Sequence, residues 1–181
     1  MTRWMNPPDG TRLQFCPLTE DDLPLLVAWR NTPEVAEWYY EPGQPPTPEF
    51  VAGHYGPLVR GEEPTYAFII RIDGDDAGYI QWYRIGDWPE YANQIGVGEG
   101  MAGVDLFLIG AYQNRGLGPQ AIESFLEQVV FRQPGIRGCA IGPDERNARA
   151  IRCYEKAGFV YSHTAAVAGE EAPEYIMVRM R

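Results

Sequence analysis

The segment from residue 103 to residue 131 constrains the fold of this chain more than any other part of the sequence. Residues 103–109 are almost continuously apolar, which predicts a strand buried on both faces. Residues 119–131 carry apolar side chains at helical spacing and predict an amphipathic helix. Between them lies Gln113-Asn114-Arg115-Gly116-Leu117-Gly118, in which the glycines allow the backbone to turn tightly. A buried strand therefore leads through a glycine-rich turn into a helix.

The glycine-rich turn has the chemistry of an anion site. Backbone N–H groups converge at the N-terminus of the following helix, where the helix dipole favours negative charge. Arg115 adds mobile positive charge beside them. The segment lacks the Lys-Ser/Thr pair of a Walker loop and the G-x-G-x-x-G pattern of a dinucleotide fold. A pyrophosphate site is one interpretation, and a purely structural connection is the alternative.

The remaining pattern predicts a mixed α/β chain, with hairpins early and strand–helix–strand units late. Strands are predicted at 13–17, 65–72, 77–83, 139–141, 160–166 and 175–180, and helices from 19 to about 29, from 48 and over 147–157. Residues 87–100 are polar, contain glycine and tryptophan, and predict a mobile loop. A length of 181 residues fits a single domain, 1–181.

Charge and hydropathy narrow the class of partner. Fifteen Lys and Arg stand against twenty-five Asp and Glu, which gives a net charge of −10. Such a charge disfavours nucleic acid and anionic membranes as partners. An acidic cleft that attracts a polycation is one interpretation, and general acidity that favours solubility is the other. No apolar run is long enough to span a membrane and no signal peptide is recognisable, so we expect a cytoplasmic protein.

The cysteines and histidines predict neither a disulfide framework nor a metal site. Cys16, Cys139 and Cys153 are odd in number and irregularly spaced, and His54 and His163 are the two histidines. No paired zinc-ligand spacing is present. We therefore interpret the thiols as buried or incidental.

A second motif supports the pyrophosphate interpretation of the turn. It runs Asn147-Ala148-Arg149-Ala150-Ile151-Arg152-Cys153-Tyr154-Glu155-Lys156-Ala157-Gly158-Phe159 and predicts a helix that Gly158 ends. The Q-x-x-G-x-G turn and this helix, in that order, resemble the GNAT acetyltransferases. The resemblance implies a central, mostly antiparallel, splayed sheet flanked by helices, with acetyl-CoA bound and no metal. It implies these cofactor contacts: Phe107, Leu108, Ile109, Gln113, Asn114, Arg115, Gly116, Leu117, Gly118, Asn147, Ala150 and Tyr154.

A finer resemblance, over residues 16–159, is to the aminoglycoside 6'-N-acetyltransferases. It is carried by Glu37-Trp38-Tyr39, by Gly78-Tyr79-Ile80-Gln81-Trp82-Tyr83 and by Gly103-Val104-Asp105. The family often has an aspartate at the position of Gly142, and this chain instead has Asp144 nearby. The resemblance implies these acceptor contacts: Trp38, Tyr39, Tyr55, Glu63, Gln81, Tyr83, Asp87, Asp105 and Asp144.

The predicted reaction is direct acetyl transfer from acetyl-CoA to a primary amine, the 6'-amine of an aminoglycoside. Asp105 is the candidate base for the acceptor ammonium, and Tyr154 is the candidate donor to the departing thiolate. The alternatives are a strand-end carboxylate at Asp105 and a core tyrosine at Tyr154. The alternative functions are acetylation of a siderophore precursor, a polyamine or a protein N-terminus, or a non-catalytic coenzyme A-binding module. We expect a small cationic amine as partner, no nucleic acid or membrane partner, and a monomer or homodimer.

Overall fold

The computed structural model describes residues 10–39 and 46–181. Its strands are β1 (Leu13–Pro17), β2 (Thr65–Ile72), β3 (Asp75–Arg84), β4 (Met101–Leu108), β5 (Gly138–Ile141), β6 (Val160–Ala165) and β7 (Glu174–Met180). They form a seven-stranded sheet in the order β1-β2-β3-β4-β5-β7-β6. The β1/β2, β5/β7 and β6/β7 pairs are antiparallel, whereas β4 and β5 are parallel. The predicted mixed α/β fold with a mostly antiparallel sheet is confirmed.

The helices are α1 (Leu23–Arg30), α2 (Pro33–Ala36), α3 (Pro48–Val59), α4 (Pro89–Ile95), α5 (Leu117–Gln128) and α6 (Ala148–Lys156). The chain divides into two compact units. Unit 1 comprises the chain up to Gln81 together with Leu106–Arg115, and unit 2 comprises Trp82–Asp105 together with Gly116–Arg181.

Unit 1 is organised around an aromatic and aliphatic core. Helix α3 begins where the sequence predicts, because Pro48 occupies its first turn and the Thr47 hydroxyl accepts a hydrogen bond from the Phe50 N–H at 3.1 Å. The buried core residues of the unit are Leu18, Leu26, Trp29, Val35, Val51, Tyr55, Ile69, Tyr79 and Phe107. Loss of this apolar surface to solvent would cost about 25 cal/mol per Å².

Unit 2 joins the parallel β4–β5 pair to the antiparallel strands β7 and β6. Helix α5 buries an apolar stripe formed by Ala121, Ile122, Phe125 and Leu126, as its 3.6-residue spacing predicts. The helix starts two residues before the predicted position and ends at Gln128, after which a short 3-10 turn covers Val130–Arg132. Gly158 has φ +85 and follows α6, as predicted for a left-handed cap.

The prediction of a mobile loop at 87–100 is wrong, because this segment contains helix α4. Pro89 occupies the first turn of the helix, and Gly96 ends it in the left-handed conformation with φ +61. Ile95 is 1% exposed and anchors the helix in the core of unit 2. A proline start and a glycine end are the signals that the polar composition of the segment obscures.

Within residues 10–39 and 46–181, none of the helices combines the length and the apolar character needed to cross a membrane. The same residues contain no group of three or more His, Cys, Asp and Glu side chains arranged to hold a metal ion.

Candidate active site

Four side chains of unit 2 form a tyrosine–carboxylate cluster: Tyr83, Tyr91, Asp105 and Glu174. The Tyr91 hydroxyl donates a hydrogen bond to Oε2 of Glu174 at 2.9 Å. Tyr83 in turn hydrogen-bonds to Tyr91, and the two ring centroids are 6.4 Å apart. The charge of Asp105 acts on both tyrosines and on Glu174. Strands β3, β4 and β7 and helix α4 each contribute one member of the cluster.

Two glycines make room for this cluster. A methyl group built on Gly103 in β4 would overlap the ring of Tyr83. A methyl group built on Gly142, just after β5, would overlap Oε2 of Glu174. Because any larger residue would force these side chains to shift, the two glycines allow a tyrosine and a carboxylate to lie directly against the backbone.

The electrostatics of the cluster are those of negative charge held away from water. The pKa of Glu174 is raised to about 7, mainly by burial. The hydrogen bond from Tyr91 acts to lower this pKa, and the charges of Asp105 and Glu170 act to raise it. Burial and the nearby carboxylates also raise the pKa of both Tyr83 and Tyr91. The phenols therefore stay protonated at neutral pH and donate hydrogen bonds, and Glu174 becomes a charged carboxylate that attracts cations as the pH rises through about 7.

Tyr154 is the second predicted catalytic residue, and it also belongs to unit 2. Its side chain is 8% exposed, and its ring lies 6.1 Å from that of Phe159. Burial, and to a smaller extent the nearby Cys153 and Asp105, raises the pKa of the phenol. Tyr154 therefore remains a hydrogen-bond donor at neutral pH, which is the form that the predicted role requires.

A surface cavity of about 440 Å³ adjoins the cluster and includes Tyr91 in its wall. Its lining residues are Trp88, Pro89, Glu90, Tyr91, Gln94, Val167 and Ala168. The volume lies in the range of small-molecule sites, which are about 300–1,000 Å³. Aromatic rings and an acidic side chain line the cavity, so a polar cationic molecule fits its chemistry.

The glycine-rich turn has the backbone geometry expected for an anion site. Asn114 and Gly116 have φ +58 and +76, and Gly116 is the N-cap of α5. Because the N-cap residue is a glycine, it has no side chain with which to cap the first turn of this helix. A methyl group built on Gly116 would meet no other atom within 4 Å, so the backbone of the turn is open on that side. Arg115 and Leu117 flank this glycine, Arg115 exposed and Leu117 buried.

Two residues of the same motif have structural roles in this turn. The Gln113 side chain donates to the Leu108 carbonyl at 2.6 Å and closes the turn that follows β4. A methyl group built on Gly118 would lie 2.8 Å from Sγ of Cys153, so this glycine lets α5 and α6 pack closely. Glycine at position 118 is thus explained by helix packing as well as by the predicted anion site.

Several predicted cofactor contacts already have partners within the protein. The Ile109 N–H donates to the Ala77 carbonyl at 3.0 Å, so it is not free to polarise a bound carbonyl group. The Asn147 side chain accepts from the Ala150 N–H at 3.0 Å and caps α6. The ring of Phe107 belongs to the core of unit 1 and stacks on Tyr79 at 5.7 Å.

The predicted aromatic acceptor wall of unit 1 needs correction at Tyr55. This residue has no exposed surface and packs in the core. Its hydroxyl accepts a hydrogen bond from the buried guanidinium of Arg30 at 3.4 Å. The rings of Tyr39 and Phe50 lie 5.5 and 5.1 Å from the same cation. Tyr55 therefore belongs to an aromatic cage around Arg30 rather than to an open pocket, and the partly buried Tyr39 contacts the same cation.

The other predicted acceptor contacts of unit 1 differ in their exposure to solvent. Trp38 is half-buried, and Glu63 is exposed in the turn after α3. The Gln81 side chain is half-buried and accepts from the Tyr79 hydroxyl at 2.5 Å.

In unit 2, Asp87 and Asp144 stand apart from the hydrogen bonds of the cluster. Asp87 is exposed in the 3-10 turn Ile85–Asp87. Asp144 forms a two-pronged ion pair with Arg146, at 2.6 Å between Oδ2 and Nη2, and this bond lowers the pKa of the carboxyl. The charge of Asp144 is therefore matched within the protein.

Two members of the cluster were not among the predicted site residues. Tyr91 lies in the segment that the sequence pattern assigns to a loop, although Trp88-Pro89-Glu90 is a recognisable helix start. Glu174 lies at the start of the last strand, 83 positions further along the chain, and no local motif marks it. Tyr83 and Asp105 were predicted, and the structure brings them together.

The mixed, mostly antiparallel sheet, with a glycine-rich turn between β4 and α5, is the architecture that the resemblance to the GNAT acetyltransferases implies. The acetyltransferase (GNAT) domain family matches residues 19–167. The chain therefore belongs to the GNAT acetyltransferase family, as the resemblance of its two motifs predicts.

Three proteins with named activities are similar to this chain. The aminoglycoside N(6')-acetyltransferase type 1 of Klebsiella pneumoniae is 33% identical over 170 residues, which cover 91% of this chain and 81% of that protein. The crystal structure of the aminoglycoside acetyltransferase AAC(6')-Ib with coenzyme A and kanamycin is 29% identical, with a TM-score of 0.75 over 94% of this chain and 95% of the other. The lysine N-acyltransferase MbtK of Mycolicibacterium paratuberculosis is 30% identical over 76% of this chain and 60% of that protein.

The raised pKa of Glu174 predicts a pH-dependent stability. Since its pKa is about 7 when folded and about 4.5 ordinarily, the folded state binds the proton more tightly, and stability falls as pH rises through 7. Glu174→Gln stays neutral at every pH. The difference in the free energy of unfolding, variant minus wild type, should therefore rise by about 1–3 kcal/mol between pH 4.5 and pH 8. Denaturant unfolding of both proteins measures this gain. Glu123→Gln, at an exposed position of α5, should show no such trend. If the free energies of unfolding of Glu174→Gln and wild type changed in parallel with pH, the raised pKa of Glu174 would be contradicted.

Proposed function

We propose that this protein transfers the acetyl group of acetyl-CoA to the 6'-amine of an aminoglycoside. The tyrosine–carboxylate cluster carries this proposal, because it holds two acidic side chains and two phenol donors, and one of these phenols, Tyr91, lines an open cavity. Membership of the GNAT family supplies the reaction class. The aminoglycoside N(6')-acetyltransferases among the relatives support the acceptor.

The acceptor chemistry explains why carboxylates are needed. An aminoglycoside amine is mostly protonated at neutral pH, and an ammonium group is not a nucleophile. Asp105 accepts the proton, directly or through water, and leaves a neutral amine. The negative charge of Asp105 and Glu174 also attracts the other ammonium groups of a polycationic acceptor.

The chain's own residues fit the other substrate. Acetyl-CoA supplies the acetyl group as an activated thioester. The open backbone at Gly116 and the N-terminus of α5 suit a pyrophosphate, and the exposed Arg115 adds positive charge. The protonated phenol of Tyr154 donates a hydrogen bond to the sulfur as negative charge develops on it.

Transfer proceeds directly between the two substrates. A covalent route through a cysteine would need a reactive thiolate. Burial raises the pKa of Cys153 to about 11, and it also raises the pKa of Cys139, so both thiols stay protonated at neutral pH. Neither is then a competent nucleophile, which supports direct attack by the amine.

A second candidate is acylation of a lysine-like amine. The 30% identity to a lysine N-acyltransferase favours it. Such an acceptor carries one or two charges, and two clustered carboxylates suit a polycation better. The two candidates differ in acceptor, so an assay that compares the two acceptors separates them.

We place the activity in one acetyltransferase domain that acts on a small cationic amine, as a monomer or a homodimer. The cytoplasm is the proposed location. All three cysteines are unpaired thiols, as is usual in reducing compartments, and this supports it.

The proposed function predicts release of free thiol when purified protein meets acetyl-CoA and neomycin. Neomycin and paromomycin differ at the 6' position, where the first has an amine and the second a hydroxyl. Thiol release and a mass gain of one acetyl group are expected with neomycin and not with paromomycin. Equal acetylation of both would exclude the 6' position. Release with free lysine alone would favour the second candidate, and no release with any amine would overturn the proposal.

Gly116→Val tests the acetyl-CoA site. Gly116 has φ +76, and a valine there would strain the backbone by about 1–2 kcal/mol and block a pyrophosphate. Calorimetry should show acetyl-CoA affinity falling by about tenfold or more. Gly61→Val is the matched control, since Gly61 has φ +69 and also faces open space. It should lose similar stability and keep its affinity, whereas equal affinities in both variants would remove the assignment.

A further inference from the structure

The carboxylate of Glu174 occupies the space that a side chain at position 142 would take. Position 142 follows β5, and Glu174 begins the antiparallel neighbour β7. The Tyr175 N–H donates to the Pro143 carbonyl at 2.8 Å, which holds the two segments together beyond the paired strands. A methyl group built on Gly142 would overlap Oε2 of Glu174 and lie 2.9 Å from its Cδ. The Cβ of any side chain at 142 and the carboxylate of Glu174 would thus compete for the same space.

The surroundings of Glu174 offer its carboxylate no matching cation. Its hydrogen-bond partner is the neutral phenol of Tyr91. No Lys or Arg in the described parts of the chain forms an ion pair with it. The charged groups that act on it are Asp105 from β4 and Glu170 from the segment before β7, and both are negative. A cation from outside the protein would therefore be the group that compensates this charge.

Two other acidic side chains of unit 2 differ from Glu174 in this respect. Asp144 is paired with Arg146, and Glu127 is paired with Arg179 at 2.9 Å. Their charges are matched within the protein. Glu174 is the carboxylate that the fold holds beside Asp105, against Tyr91 in the wall of the cavity.

We propose that Glu174 binds an ammonium group of the acceptor and is a specificity-determining residue for polycationic amines. Gly142 is the complementary half of the arrangement, because its missing side chain leaves the space that the Glu174 carboxylate fills. Positions 142 and 174 are then alternative attachment points for one acceptor-binding carboxylate. This role for Glu174 rests on the proposed function, since it presumes a polycationic acceptor beside Asp105.

The test measures neomycin binding by calorimetry at pH 8, where turnover is not needed. Glu174→Gln keeps the shape and removes the charge, and binding should weaken by about ten- to a hundredfold, as for loss of one charge-assisted hydrogen bond. Glu123→Gln also removes one negative charge, at an exposed site on α5, and should stay within about twofold of wild type.

The double variant Gly142→Asp with Glu174→Ala tests the exchange of position. It should recover most of the affinity that Glu174→Ala alone loses, because the new carboxylate occupies the vacated space. Unfolding curves check that each variant is folded, and Glu174→Gln remains informative if the double variant is not. Unchanged binding in Glu174→Gln would overturn the role of Glu174.

The outcomes separate this role from the proposed function. Wild type that acetylates neomycin while Glu174→Gln binds it normally would leave the function intact and reject the role of Glu174. Wild type that binds neomycin without releasing thiol would reject the function, and the variants would still decide the role of Glu174. Wild type that neither binds nor acetylates neomycin would reject both.

Discussion

Burial of the Glu174 carboxyl group near the charge of Asp105 is the constraint on which the candidate active site of unit 2 depends. Burial, together with the nearby negative charges of Asp105 and Glu170, raises the pKa of Glu174 to about 7, although the hydrogen bond from Tyr91 acts to lower it. Such a placement costs stability, because a charged carboxylate loses its water without gaining a cation. Folded proteins tolerate this kind of cost mainly at functional sites. In the proposed function a polycationic amine would supply the missing positive charge, so the stability cost of the buried carboxylate and the binding of the acceptor would have the same physical origin.

The backbone supports this arrangement through glycines and helix ends rather than through additional polar side chains. Gly103 and Gly142 leave room for Tyr83 and Glu174, and Gly118 lets α6 approach α5 near Tyr154. Helix α4 ends at a left-handed Gly96 and carries Tyr91 to the carboxylate of Glu174. Each of these positions depends on the absence of a side chain, so each is sensitive to small changes in volume.

Local features of the sequence predicted most of the fold, whereas the site could be predicted only in part. The turn 113–118 and the capped helix after Asn147 are determined by residues close together in the chain, and both are present. Tyr91 and Glu174 meet across 83 positions through strand register and helix packing, which no short motif records. Tyr55 shows a second limit of prediction from sequence, since an aromatic side chain is equally suited to a core and to a pocket. Its contact with the buried Arg30, which only the structure reveals, places it in the core.

The most direct test of the account is kcat for acetyl transfer to neomycin by wild type and Asp105→Asn, at saturating acetyl-CoA and acceptor, from pH 6 to 9. Asparagine keeps the shape and removes the basicity of the side chain. If Asp105 accepts the proton of the acceptor, kcat should fall by about 10²–10⁴-fold at neutral pH. Asp21→Asn, at an exposed position of the first 3-10 turn, should leave kcat unchanged. An unchanged kcat in Asp105→Asn would contradict the central claim.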